Sequence, residues 1–132
     1  MVQIHMIKLK DLLVERIDYV DTANRLVKKY NLRSKVKITT GKNSGEYVAE
    51  KDLITLRSSY RSMKEFLLSI LHEIKHALDA NRLGVKKYLK KYDQAGTMAA
   101  HAGKDPHDDN KWEIQAEKWA INQYNKYFKT WE

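Results

Sequence analysis

Residues 62–82 read SMKEFLLSILHEIKHALDANR, and this stretch gives the strongest indication of the fold. Ser62 and Glu65 form the S-x-x-E pattern of a capping box, which predicts that a helix begins there. Gly84 is a typical stop signal, so the helix is predicted to end near Arg82. The apolar residues between these limits recur at helical spacing: Phe66, Leu67, Ile70, Leu71, Ile74, Ala77 and Leu78.

The centre of this helix carries His72-Glu73-Ile74-Lys75-His76, a match to the H-E-x-x-H pattern. Residues four apart lie on one face of a helix, so the two imidazoles can reach the same metal ion. Glu73 can hold a water molecule without binding the metal itself. A metal ion acidifies such a water, and the carboxylate takes its proton as the water attacks a carbonyl. The alternative is a pair of histidines on a solvated helix face.

A catalytic zinc site needs a third protein ligand and one open position. The chain has no cysteine, so disulfides, thiolate metal sites and a cysteine nucleophile are excluded, and the ligand must be His, Asp or Glu. The metzincin pattern requires a glycine and a histidine where this chain has Asp79 and Arg82. The aspzincin pattern requires an aspartate where it has Ala99. Both classes are therefore excluded.

The gluzincin pattern, in which a later helix supplies a glutamate, fits better. Residues 113–117 read EIQAE, which matches E-x-x-[A/S]-[D/N/E]. Over residues 66–80 and 113–120 the chain resembles small gluzincin-like zinc metallopeptidases of the ImmA/IrrE type. The resemblance implies a zincin-like fold, a bound Zn²⁺ and hydrolysis of peptide bonds. It also implies that Glu113 is the third ligand and that Glu117 orients a ligand histidine.

Two departures leave the third ligand open. Lys75 stands where the motif often has a small residue, and the segment 76–113 is longer than in compact members of the class. Short metallopeptidases of phage genomes are also similar, and a D-P dipeptide often precedes their third-ligand helix, as Asp105-Pro106 does here. Three further residues stay candidate ligands: Glu117, His107 and Asp109.

A peptidase also needs a hydrogen-bond donor for the oxyanion of its tetrahedral intermediate. His101, His107 and Tyr92 are candidates, although surface histidines and a core tyrosine are the simpler interpretation. Zincins bind substrate along a strand beside the metal helix. The segment Asp52–Arg57 directly precedes that helix and is the expected substrate-binding strand, with a plain edge strand as the alternative.

Basic residues outnumber acidic ones, which gives a formal net charge of +8 and a pI near 9.5. Such a balance favours contact with nucleic acid, an acidic protein or an anionic surface. The dense basic segment contains Lys86, Lys87, Lys90 and Lys91, which are candidate phosphate contacts. SprT-like proteases, zinc peptidases that act on DNA-bound proteins, are compatible with both features. The simpler and favoured interpretation is the solvated face of an amphipathic helix.

The remaining patterns predict an α+β fold in one domain, residues 1–132, with a small antiparallel sheet and terminal helices packed on the metal helix. No apolar stretch approaches a membrane span and the first ten residues make a poor signal peptide, so a cytoplasmic location is expected, in the host if the chain is phage-encoded. Helices are predicted at Leu9–Tyr30, Val85–Tyr92 and Trp112–Phe128, strands at 36–38, Tyr47–Glu50 and Asp52–Arg57, and a loop at Gly96–Asn110.

Taken together, these features predict a zinc-dependent metallopeptidase that acts on a protein or peptide, with Glu73 as its general base. The first alternative is a basic nucleic-acid- or protein-binding module on a zincin scaffold, with a structural metal. A second alternative is a metal-dependent hydrolase of a non-peptide amide.

Overall fold

The computed structural model describes residues 18–41 and 45–131. Within these residues the fold is α+β and mostly helical, as the sequence predicts. Its regular elements in chain order are α1 (Tyr19–Lys29), β1 (Lys35–Ile38), β2 (Tyr47–Val48), β3 (Leu53–Leu56), α2 (Met63–Leu83), α3 (Val85–His101) and α4 (Lys111–Gln123). A 3₁₀ turn at Ala49–Lys51 joins β2 to β3, and α4 continues into a π-helix at Tyr124–Phe128 and a 3₁₀ turn at Lys129–Trp131.

The sheet is mixed, so the prediction of an antiparallel sheet was wrong. Its strand order is β1-β3-β2, with β1 parallel and β2 antiparallel to β3. The middle strand reads LITL, and its Ile54 and Leu56 are buried. The alternating KVKI of β1 leaves most of its side chains exposed, which suits an edge strand. Because β3 is the central strand, the expectation that Asp52–Arg57 binds a substrate strand was also wrong.

The first described helix, α1, begins after Asp18, whose side chain accepts a hydrogen bond from the backbone N–H of Asp21. The predicted start at Leu9 lies outside the described residues. The helix stops where predicted, because Asn31 adopts a left-handed conformation with φ of 61°. The apolar face of α1 packs into the core through the buried side chains of Ala23, Leu26 and Val27.

The long helix α2 runs through the middle of the core. At its start, the hydroxyl of Ser62 accepts from the N–H of Glu65 at 3.1 Å, as the capping pattern predicts. In a complete capping box the Glu65 carboxylate would accept from the N–H of Ser62, but here it accepts from the N–H of Arg61. Lys75, the unusual residue within the motif, places its ammonium 2.7 Å from the buried carboxylate of Asp79 one turn later. Lys75 therefore neutralises a buried charge on this helix.

Helix α3 is longer than predicted, since residues 96–101 are helical and only 102–110 form the loop. Gly96 does not break the helix, because its lack of a side chain allows the loop to pack against it. A Cβ at Gly96 would lie 3.2 Å from the carbonyl oxygen of Pro106. The loop ends at Asn110, which caps α4 and donates to the carbonyl of Tyr92 at 3.1 Å. These contacts fix the start of α4 against α3.

Helix α4 packs along α2 through small side chains. Ala116 and Ala120 are fully buried, so the two helices approach closely along this line. The predicted single helix to Phe128 is regular only to Gln123, and its last turn is a π-helix. None of the helices in the described part of the chain has both the length and the apolar character needed to cross a membrane.

Candidate metal centre

Three potential metal ligands meet between α2 and α4. His72 and His76 lie one turn apart on α2, and Glu113 lies in the first turn of α4. Their ligand atoms all lie within 4.8 Å of one another. His76 is 4% exposed and Glu113 is 9% exposed, while His72, with a side chain 18% exposed, is the ligand nearest to solvent. The sequence reasoning named these three residues, and the structure brings them together.

The donor atoms of this group fit a zinc ion. Glu113 Oε1 lies 2.7 Å from His72 Nε2 and 3.0 Å from His76 Nε2. A tetrahedral ion with bonds of about 2.0–2.1 Å keeps its ligand atoms roughly 3.3 Å apart. To hold the ion, the His72–Glu113 pair would need to open by roughly 0.6 Å and the His76–Glu113 pair by roughly 0.3 Å. Two imidazole nitrogens and one carboxylate oxygen form a donor set that zinc accepts, and they leave a fourth position open.

Each histidine has a polar neighbour at its other ring nitrogen. The hydroxyl of Tyr88 lies 3.0 Å from His76 Nδ1, within hydrogen-bond distance. Glu117 Oε2 lies 3.9 Å from His72 Nδ1, close enough for charge attraction but not for a direct hydrogen bond. Glu117 therefore lies nearest to His72, whereas the closer contact to a ligand histidine is that of Tyr88 with His76.

The second oxygen of Glu113 is held by two further side chains. Tyr92 donates its hydroxyl to Oε2, and His107 Nε2 lies 3.3 Å from the same oxygen. Tyr92 comes from α3 and His107 from the loop before α4. Both groups therefore lie beside the centre, which is consistent with their candidacy as hydrogen-bond donors in a reaction there.

The electrostatics of the group favour negative charge on Glu113. Burial acts to raise the pKa of Glu113, but hydrogen bonds from His72, His76 and Tyr92 outweigh it and hold the pKa far below its usual range. Burial acts to lower the pKa of His72, but the bond to Glu113 and the nearby carboxylates raise it overall. The site therefore holds an ionised carboxylate that His72, His76 and Tyr92 contact. A negative charge in this position suits a bound cation.

Glu73 faces the edge of the sheet. The N–H of Thr55 donates to the carbonyl of Glu46 at 2.8 Å, so the backbone groups of Tyr47 point away from β3. The Tyr47 N–H hydrogen bonds to the Glu73 carboxylate. Burial raises the pKa of Glu73 to about 8, aided by the charges of Glu113 and Glu46 and opposed by His72 and this N–H. A bound cation would lower this pKa again.

Two cavities meet at His72 and Glu73. One, of about 290 Å³, extends along β2 towards Tyr88 and Tyr92. The other, of about 680 Å³, extends along the first half of α2 towards Arg57 and the residues that follow it. Gly45 also borders both cavities, so they lie side by side along the candidate centre, and we call the two together the cleft.

Other predicted site residues lie elsewhere. His101 is exposed at the end of α3 and lines neither cavity of the cleft. Asp109 is exposed, and its carboxylate accepts from the N–H of Asp105 within the loop. Lys86, Lys87 and Lys90 are exposed on α3 and Lys91 is half-buried, which is compatible with both a solvated helix face and a phosphate-contacting surface.

Sequence reasoning missed the roles of Tyr88 and of the Tyr47 backbone. Tyr88 and Tyr92 have the same four-residue spacing as His72 and His76, and this repeated spacing is the signal that could have indicated a paired site. No sequence pattern could have indicated the contact between the Tyr47 N–H and Glu73, because the direction of a backbone group depends on strand pairing.

We expect Tyr88→Phe to weaken zinc binding by about 10–100-fold while the fold is retained, because His76 loses the partner that orients its ring. Competition with a chelator of known affinity measures the change. Tyr30→Phe is the matched control, since the Tyr30 hydroxyl bonds to Gln123. Equal zinc affinity in Tyr88→Phe and Tyr30→Phe would show that Tyr88 does not support the ligand.

Comparison with known proteins adds no relative. No family model matches this chain, and neither a curated protein nor a solved structure matches it significantly. The likeness to gluzincins therefore rests on the residues of α2 and α4 themselves. The candidate centre is therefore described by its geometry alone: two histidines and a glutamate, with Glu73 beside them in the cleft.

Proposed function

We propose that this protein is a zinc-dependent metallopeptidase of the gluzincin type with a zincin-like arrangement of helix and sheet. The observation that carries the proposal is the convergence of His72, His76 and Glu113 on one point at the bottom of an open cleft. A structural zinc site normally has four protein ligands, whereas a catalytic site has three and keeps one position for water or substrate. Three ligands beside an uncoordinated glutamate favour catalysis.

The donor set favours zinc over other ions. Magnesium and calcium prefer oxygen ligands, while zinc accepts imidazole nitrogen together with a carboxylate. Zinc in this place would supply a Lewis acid that acidifies water and polarises a carbonyl group. His72, His76 and Glu113 would hold it. Tyr88 would hold the ring of His76 in the required orientation.

Glu73 would act as the general base. Its carboxylate lies beside the ligand histidine, and the Tyr47 N–H holds it in position. It would take the proton of the attacking water and pass it to the leaving amine. Tyr92 would redirect its single hydroxyl proton from Glu113 to the developing oxyanion; burial and Glu113 raise the pKa of this hydroxyl and keep it protonated. His107, which lies near the same oxygen of Glu113, is the alternative donor.

A peptide substrate would bind along β2. This strand is at the edge of the sheet, and its Tyr47 carbonyl points towards the cleft, whereas the Tyr47 N–H is hydrogen bonded to Glu73. An extended peptide can add to such an edge through main-chain hydrogen bonds. Binding of this kind would bring the carbonyl to be cleaved near Glu73, and β2 would take the role that the sequence suggested for Asp52–Arg57.

Metal analysis combined with a peptidase assay tests the proposal. We expect about one zinc ion per chain and cleavage of peptides from a mixed library, with both lost in His72→Ala and His76→Ala. Chelation should remove activity and added zinc should restore it. The control is His101→Ala, which changes an exposed histidine outside the cleft.

The outcomes separate the proposal from its alternatives. Zinc retained in the double variant of His72 and His76 would place the metal elsewhere. Zinc bound by these residues without cleavage of any peptide would favour a binding module with a structural metal. Cleavage confined to non-peptide amides would favour the other class of hydrolase.

A further inference from the structure

The larger cavity of the cleft has a basic far end. Arg57, Arg61 and Lys64 line it where it leaves the candidate centre, together with the single acid Glu65. Glu65 lies 3.1 Å from Arg57 Nη2 but 3.9 Å from Arg61 Nε. Three cations against one acid leave an excess of two positive charges. The other acids on this cavity, Glu73 and Glu117, belong to the centre itself.

These cations differ in how firmly they are held: Arg57 is packed on a ring, Arg61 is almost fully exposed, and Lys64 Nζ lies 5.4 Å from the centre of the Tyr124 ring. The Arg57 guanidinium lies over the ring of Tyr60, 4.5 Å from its centre, and its side chain is 45% exposed. The Arg61 side chain is 93% exposed, so its contact with Glu65 is screened by water. The cleft therefore presents positive charge that the protein itself does not neutralise.

The direction of β2 determines which part of a peptide meets these cations. The strand starts next to Gly45, beside Arg57, and runs towards Ala49 in the smaller cavity. A peptide that pairs antiparallel with β2, which is the more stable pairing per residue, runs the opposite way, from Ala49 towards Gly45. Its residues after the cleaved bond would thus enter the basic cavity, while those before it would lie near the tyrosines.

The length of α2 gives the distance between the candidate centre and the basic end of the cavity. Lys64 precedes His72 by eight residues on α2, which is roughly 12 Å at 1.5 Å per residue. An extended peptide advances about 3.3 Å per residue, and long basic side chains can reach back towards the centre. The cations therefore meet the peptide about two to four residues beyond the cleaved bond.

We propose that the cleft selects peptides that carry a carboxylate group about two to four residues after the cleaved bond. The carboxylate can belong to an aspartate or glutamate side chain or to a free C-terminus. This inference rests on the proposed function, because it uses the position of Glu73 as the point of cleavage. It adds a substrate class to that function.

Binding to zinc-loaded Glu73→Gln measures the selection without hydrolysis. The probes are fluorescent extended octapeptides in three forms: glutamates in the second half, glutamates in the first half, and glutamine throughout with an amidated C-terminus. A fourth form has glutamine throughout and a free C-terminus, which separates the two sources of carboxylate. At low salt, we expect the form with glutamates in the second half to bind roughly tenfold more tightly than the amidated glutamine form. This difference in affinity should shrink at high salt.

Charge reversal links the preference to these residues. Arg61→Glu with Lys64→Glu should abolish or invert it. A glutamate at 64, in the first turn of α2, suits the helix dipole, and position 61 is an almost fully exposed residue before the helix, so the fold is retained. Lys35→Glu with Lys37→Glu is the matched control, because these exposed lysines of β1 line neither cavity. A preference that survives reversal at 61 and 64, or falls equally in the control, overturns the inference.

Cleavage by the wild type, mapped by mass spectrometry, tests the direction. Preference for glutamates in the first half would mean that peptides bind in the opposite direction and would also overturn the inference. Cleavage without charge preference would leave the peptidase proposal intact and refute only the proposed selection for a carboxylate. Charge-dependent binding without cleavage of any peptide would support the basic cavity as a carboxylate site and refute the peptidase proposal instead.

Discussion

Replacing Glu73 by glutamine is expected to reduce peptide hydrolysis by about 10²–10⁴-fold while zinc content and fold stay unchanged. Glutamine has nearly the same shape, and its side-chain oxygen can still accept the hydrogen bond from the Tyr47 N–H. What it cannot do is take the proton of the attacking water. The loss should therefore fall on kcat more than on KM, since substrate contacts along β2 are retained.

Steady-state kinetics with metal analysis of the same samples checks this result. Asp93→Asn is the matched control, because it neutralises an exposed acid on α3 and should leave the rate unchanged. Loss of zinc in Glu73→Gln would make Glu73 a ligand. Full activity with zinc bound would assign the general base to another residue of the cleft.

Glu113→Ala is expected to empty the metal centre at ordinary zinc concentrations, whereas Glu117→Ala should only weaken it. Glu113 Oε1 lies between both histidine nitrogens, so its loss leaves two ligands, which is too few for a tight site. Glu117 lies 3.9 Å from the outer nitrogen of His72 and is largely exposed. Its removal should cost about 10–100-fold in affinity, and added zinc should restore occupancy.

Zinc titration of both variants, with circular dichroism to verify the fold, measures the ranking. Glu113→Gln is an informative companion, since it keeps a hydrogen-bond acceptor for Tyr92 but is a poorer metal ligand. Tighter zinc binding by Glu113→Ala than by Glu117→Ala would assign the third ligand to Glu117. If neither change affects zinc, the ligand lies in the loop, with His107 and Asp109 the next residues to test.

Local periodicity made the metal helix predictable. The cap at Ser62, the apolar repeat and the stop at Gly84 are encoded within one segment, and α2 follows them closely. The four-residue spacing of His72 and His76 fixes their common face before any tertiary contact forms. The boundaries that failed are those set by packing. Gly96 lies within α3, and its missing side chain allows Pro106 to pack closely against the helix.

The sequence by itself determined the helix, its two histidines and a short set of partners that included Glu113. Tertiary structure decided which partners meet: His72 and Glu113 are 41 residues apart, and only the packing of α4 on α2 joins them. It also decided that β3 is central, that β2 borders the cleft and that Tyr88 supports His76. Helical spacing is a local property of the backbone, whereas strand order and contacts between helices depend on how distant segments bury one another.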